Sequence, residues 1–191
     1  MSVEKQKNET KFCDLANDII SKAKKMGANC VEVDADISSG FSINVRKNEV
    51  ETIEHSNGKN LGVTVYFGYR AGSATTSDLS PQAINAMLEK ACYIARFTSE
   101  DPFVGLADKA LMAYDYKKLD LDLYHPWQIK VEEAINLAKN AESAGFSYDK
   151  RLTNSEGSSL SAFETLDVYA NSHDFCAATV SWSNCSPRFR Q

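Results

Sequence analysis

Three histidines, five cysteines and a glycine-rich run from Ser56 to Pro81 are the residues of this 191-residue chain best suited to chemistry. His55, His125 and His173 lie far apart, and none belongs to an HExxH arrangement, which would put two ligands and a general base on one helix face. Each reads as a surface or hydrogen-bonded structural histidine. Zinc could be held only if these residues converged from separate elements. Gly58, Gly62, Gly68 and Gly72 do not form a phosphate cradle. Such a loop needs a strand, a glycine turn whose amides face the anion, and then a helix. There is no GxGxxG, and Gly58-Lys59 lacks both the glycine five positions earlier and a following Ser or Thr. The glycines flank strands, so hairpin turns are the reading. Ser158, Ser159 and Ser161 follow a glycine, but without GxSxG they make a weak nucleophile set. Cys13, Cys30, Cys92, Cys176 and Cys185 are odd in number and show no CxxC spacing, so neither a disulfide framework nor a zinc knuckle is expected. Cys92 falls on the apolar stripe of a helix and Cys30 enters a strand, neither with an activating neighbour. Glu32, Asp34 and Asp36 alternate with aliphatic residues and read as the solvated face of a strand rather than a cation site. No catalytic, cofactor-binding or metal-binding residue is assigned.

The net charge of −5 and pI near 5.3 disfavour a sequence-independent grip on nucleic acid, which needs clustered Lys and Arg to neutralise phosphates. Lys24-Lys25 and Lys117-Lys118 sit among acids and read as solvated surface. The opening MSVEKQKNETKF has no apolar h-region, and no apolar stretch approaches the ~20 residues of a membrane span. A reducing, cytoplasmic setting is expected.

The elements that must position these residues follow from periodicity. Phe12, Leu15, Ala16, Ile19, Ile20, Ala23 and Met26 recur at helical spacing, predicting a helix over residues 7–26 that Gly27 stops. Val31 to Ile37 alternates strictly, as a half-buried strand does. Gly40 punctuates, Phe41 to Val45 alternates again, and Arg46-Lys47-Asn48-Glu49 reads as a tight connection to a strand over 50–54. Asn57-Gly58 signals a hairpin turn. Leu61 to Phe67, a turn at Phe67 to Arg70, and Ala71 to Thr76 complete a meander of four or five strands. Asp78-Leu79-Ser80-Pro81 has the chemistry of a helix start, and Ile84, Met87, Leu88, Ala91, Ile94 and Ala95 supply the stripe of a helix ending near Phe97. Residues 98–126 read as a long connection packed through Phe103, Val104, Leu106, Leu111 and Tyr114. Pro126 opens a third helix over 128–143, which Gly145 ends. Arg151 to Asn154, a turn at Glu156 to Ser158, and one or two strands over 161–170 close the pattern. Helices between blocks of hairpin-connected strands predict an α+β fold: an antiparallel, hairpin-rich sheet packed with about three helices.

Longer stretches resemble a known family. Asn60-Leu61-Gly62-Val63-Thr64-Val65-Tyr66 with Gly72 to Pro81, Ala95-Arg96-Phe97-Thr98-Ser99-Glu100-Asp101-Pro102, Gly105 to Lys109, Leu119 to Pro126, Lys150 to Gly157 and Asn171-Ser172-His173 are similar to the TldD/PmbA family, on its PmbA (TldE) side. The similarity spans residues 30–175. It implies a subunit of a TldD–TldE protease complex that processes unfolded or modified peptides, as in peptide maturation and antitoxin turnover. In that family the zinc-binding HExxxH motif belongs to the TldD partner, so the resemblance places zinc and hydrolysis there. No catalytic residue carries over, and this chain alone is not expected to be catalytic. An older family label, modulator of DNA gyrase, implies a genetic connection and not DNA binding. Residues 1–175 are read as the family's N-terminal domain and 176–191 as a divergent tail from a frameshifted or prematurely ended reading frame, with the family's C-terminal domain absent. The last strand is then expected to leave an exposed edge. A stand-alone binding module or a nonfunctional truncated product is the alternative.

Overall fold

The stripe on the first predicted helix is borne out in the computed structural model, which describes residues 3–190, with side chains described for 9–185. Helix α1 (Val3–Lys25) buries Phe12, Ala16, Ile19, Ile20 and Ala23. Strands β1 (Cys30–Arg46), β2 (Glu49–Phe67) and β3 (Arg70–Thr76) follow, then helix α2 (Pro81–Phe97) and helix α3 (Val131–Tyr148), then strands β4 (Gly157–Asn171) and β5 (Phe175–Arg190). The strands form one five-stranded sheet in the order β3-β2-β1-β4-β5. Among the described residues the fold is α+β, with a hairpin-rich antiparallel sheet and three α-helices, as the sequence predicts.

Helix α2 forms where its local signals lie. Ser80 caps it, its Oγ accepting from the Ala83 amide at 3.3 Å, and Pro81 occupies the first turn, where a missing N–H costs nothing. Leu61, Val63 and Val65 of β2 pair antiparallel with Thr76, Ala74 and Gly72 of β3.

Several boundaries differ from the sequence reading. The expected meander of four or five strands is three longer ones, because neither Gly40 nor Asn57-Gly58 turns the chain. At Gly40 the backbone passes so close to β4 that a Cβ would overlap the Ala162 carbonyl oxygen, so this glycine serves close approach rather than a turn. Asn57 stays extended within β2, its Oδ1 accepting from Ser39 Oγ at 2.6 Å, so strand pairing overrides its turn propensity. The tight connection expected at Arg46 to Glu49 does form, with Lys47 and Asn48 at φ values of 52° and 62° that suit a two-residue hairpin loop. Helix α3 starts later than expected, at Val131, because ahead of it the Ile129 amide turns back to the Trp127 carbonyl and both side chains pack against a core; it runs through Gly145 to Tyr148. Arg151 to Asn154 is not a strand. Asp149 captures the Arg151 amide and guanidinium and curls the chain instead. The long connection does not pack through Phe103 and Leu111, which are 95% and 77% exposed. Side-chain-capped turns shape it, with Asp101 and Asp108 accepting from the Phe103 and Ala110 amides.

The largest correction concerns the cysteines. Cys13 of α1 and Cys176 of β5 form a disulfide with a Cα–Cα distance of 6.1 Å, although their separation of 163 residues carries no pairing signal. Cys30, Cys92 and Cys185 are free thiols.

The chain condenses into two compact units. The first comprises Met1–Ile37, Gly58–Leu121 and Leu166–Thr179; the second comprises Ser38–Asn57, Asp122–Thr165 and Val180–Gln191. The core of the first unit joins α1 and α2 to one sheet face through Ile19, Val31, Val33, Val63, Val65, Leu88 and Ala91. That of the second gathers Ile43, Val45, Ala134, Ala138 and Leu160. In the second unit Glu142, 1% exposed, accepts from the Lys47 and Asn48 amides at 2.9 and 2.7 Å and so clamps the β1–β2 turn to α3.

Candidate functional site

In the first unit, alternation sorts each strand into two faces. Val31, Val33 and Ala35 of β1, Leu61, Val63 and Val65 of β2, and Val168 and Ala170 of β4 are buried in the core with the helices. On the opposite face stand Glu32, Asp34 and Asp36 of β1, Gly62, Thr64 and Tyr66 of β2, and Asp167, Tyr169 and Asn171 of β4. In β5, Cys176 and Ala178 pack toward the core, leaving Phe175, Ala177 and Thr179 on the opposite face.

This face is more structured than a solvated row of acids. Glu32 accepts hydrogen bonds from the phenols of Tyr66 and Tyr169, the latter at 2.8 Å, so a β1 carboxylate ties its two flanking strands together. Asp34 lies across β2 where Gly62 leaves room; a Cβ there would come within 2.6 Å of both carboxylate oxygens. A cavity of about 370 Å³ opens beside it, lined by Asp34, Asp36, Asp167, Tyr169, Ala177 and Thr179. Tyr169, which lines it, belongs to an aromatic group in which Phe175 meets Tyr114, Tyr116 and Tyr169 at centroid distances of 5.7, 6.2 and 6.1 Å. The connection is pinned there, since Tyr114 donates to the His173 carbonyl and the Ala178 amide donates to the Tyr116 hydroxyl.

The electrostatics are one-sided. Partial burial, then Asp36 and Glu32, raise the Asp34 carboxyl above its ordinary value, and burial followed by Asp36 raises Asp167. Burial and the bond to Glu32 push the Tyr66 phenol up, and burial does the same for Tyr169. Among the described residues no Lys, Arg or His forms an ion pair with Glu32, Asp34, Asp36 or Asp167. Carboxylates of this kind accept hydrogen bonds and attract cations.

The other sequence candidates are placed elsewhere. His55 lies beside Phe41 at 6.0 Å between centroids, and His125 pairs with Asp122 at 3.1 Å. The His173 amide donates to Asn171 Oδ1. Among the described residues no three His, Cys, Asp or Glu side chains are grouped so as to hold a metal ion. Ser158 is fully buried, and its Oγ has no hydrogen-bond partner among the described residues. Cys92 is 2% exposed and burial raises its thiol, which keeps it protonated and inert. Of the four glycines, Gly68 alone sits in a turn; Gly58 and Gly62 lie within β2 and Gly72 lies in β3 against α2. Sequence reasoning missed Asp167, Tyr66 and Tyr169. Their strand alternation was visible, but their meeting around β1 depends on strand order.

Two family models match the chain: PmbA/TldA metallopeptidase domain 1 over residues 31–95, and PmbA/TldA metallopeptidase central domain over residues 124–181. Metalloprotease PmbA of Escherichia coli O157:H7 is 43% identical over 170 residues, covering 87% of this chain and 37% of that protein. The metalloprotease PmbA homolog of Haemophilus influenzae is 43% identical over 162 residues, covering 85% and 35%. The chain belongs to the PmbA/TldD family. It spans little more than a third of the length of these PmbA relatives. A Bacteroides thetaiotaomicron protein described as a candidate modulator of DNA gyrase shares the fold, with a TM-score of 0.77, 24% identity and coverage of 90% of this chain and 39% of that one. TldE from Thermococcus kodakarensis also shares it, with a TM-score of 0.62, 18% identity and coverage of 88% and 37%. Among the described residues of this PmbA/TldD chain, no helix is long and apolar enough to cross a membrane.

Proposed function

We propose that this chain is the substrate-handling part of a PmbA/TldE-type subunit. It holds unfolded or modified peptides beside a zinc-bearing TldD-type partner that performs the hydrolysis, in the cytoplasm. The observation that carries the reading is the face formed by Asp34, Asp36, Asp167 and Tyr169, which offers hydrogen-bond acceptors and negative charge with no basic side chain among the described residues in an ion pair with them. An extended peptide exposes backbone N–H groups and side-chain cations that such a face recognises, whereas a folded protein has already paired its amides. Kinship with metalloprotease PmbA and the shared fold of TldE support the peptidase setting.

The chain's own residues bind and orient in this scheme; none is assigned a bond-breaking step. The test combines the full chain with a co-purified TldD-type protein and follows cleavage of an unstructured reporter peptide. Cleavage is expected from the mixture and not from this chain alone. Asp36→Asn combined with Asp167→Asn should raise KM several-fold with kcat little changed, as loss of uniform binding does. Peptide hydrolysis by the purified chain by itself refutes the proposal, as does a double variant with unaltered KM.

A further inference from the structure

The Cys13–Cys176 disulfide joins the middle of α1 to the second residue of β5. Among the described residues strand β5 is an edge strand paired with β4, and away from β4 its Trp182 amide donates to the Leu123 carbonyl at 2.9 Å in place of a ladder. Alternation puts Cys176 on the helix side, packed with Ala178 against the core. The intervening Ala177, and Thr179 beyond it, line the carboxylate cavity on the other side. The disulfide therefore pins, from behind, the strand that closes the cavity. From the front, β5 is held by Phe175 among Tyr114, Tyr116 and Tyr169 and by the Ala178 amide bond to Tyr116. These contacts are noncovalent. Cys13 and Cys176 are both half-buried, whereas Cys92 is enclosed.

We propose that Cys13–Cys176 is a reversible thiol–disulfide clasp whose oxidation state sets how firmly β5 closes the carboxylate cavity, and hence how tightly that cavity holds a peptide. The peptide part rests on the function proposed above; the clasp itself does not. Reduction proceeds by attack of a dithiol's thiolate on one sulfur of the pair, giving a mixed disulfide and one protein thiolate. The reductant's second thiolate then displaces the other protein sulfur. In sum the protein disulfide gains two electrons and two protons, and the dithiol becomes its cyclic disulfide. A low-molecular-weight disulfide such as oxidised glutathione reverses the exchange. In a reducing compartment a persistent bond of this kind is uncommon and a transient, redox-sensing one is the usual form.

The experiment incubates the full chain with dithiothreitol or with oxidised glutathione, maps alkylated thiols by mass spectrometry, and follows amide hydrogen exchange. Reduction should speed exchange of residues 175–179 about tenfold or more while residues 81–97 of α2 stay unchanged, and reoxidation should restore protection. Cys13→Ser should behave as the reduced form in either buffer. If that variant does not fold, the wild-type comparison decides alone. Equal exchange at 175–179 in the two states, or recovery of Cys13 and Cys176 as free thiols after oxidation, overturns the clasp. Anisotropy of a labelled Lys- and Arg-bearing peptide, read in both states, tests the link to binding: weaker binding when reduced is expected. Redox-sensitive exchange with unchanged peptide affinity overturns that link alone.

Discussion

Replacing Glu142 by alanine removes the clamp between α3 and the β1–β2 turn. The carboxylate is 1% exposed and accepts two backbone N–H bonds, at 2.9 Å from Lys47 and 2.7 Å from Asn48. Hydrogen bonds to a charged group are worth about 1.5–3 kcal/mol each. The two amides belong to exposed residues and regain water when the clamp is lost, which returns part of that value. The net cost expected for Glu142→Ala is about 3 kcal/mol. Glu142→Gln keeps one acceptor and the side-chain volume, and should cost about half as much. The assay is urea denaturation followed by tryptophan fluorescence. Trp127 and Trp182, the two tryptophans of the chain, both belong to the second unit and so report the unit that Glu142 supports. The midpoint should fall with the slope unchanged. A loss below about 0.5 kcal/mol, the range of an uninvolved surface substitution, refutes the reasoning. So does a glutamine variant as damaged as the alanine one, since retained packing and a retained acceptor would then count for nothing.

Gly72→Ala should be severely destabilising, by about 3 kcal/mol or more, because the added methyl would overlap the Ala91 carbonyl and Ala95 amide and force α2 away from β3; a thermal midpoint within a few degrees of wild type would contradict this. For Asp34 the folded carboxyl titrates above its ordinary 3.8, so the folded state binds more protons than the unfolded state between the two values. Its ionisation therefore lowers stability as pH rises through the folded value, and the penalty is absent below 3.8. Asp34→Asn should raise the denaturation midpoint at neutral pH and show no such gain in acid; an equal gain at both pH values would mean that charge is not the cause.

Local chemistry was enough to read α1, α2 and the alternation of β1. The apolar spacing of Phe12 to Ala23, the Ser80 cap with Pro81, and the acid–aliphatic pattern from Val31 to Ile37 act over a few residues, and the structure keeps all three. Readings failed where a short-range preference met a long-range partner. Asn57-Gly58 and Gly40 favour turns in isolation, but extended pairing with neighbouring strands outweighs a turn preference worth little on its own.

The candidate site was legible as parts and not as a place. Glu32, Asp34 and Asp36 were recognisable as one face of a strand, and no property of those residues announces that Tyr66 and Tyr169 will flank them. That follows from the order β2-β1-β4, which brings Tyr66, 34 residues from Glu32 in the chain, and Tyr169, 137 residues from it, to the same carboxylate. The same holds for Cys13 with Cys176 and for Glu142 with the Lys47–Asn48 turn. Periodicity tells which way a side chain faces, because that is decided by the backbone geometry of its own segment. Which residue it meets there is decided only when distant segments pack, and that is where this chain's cavity, its clasp and its clamp arise.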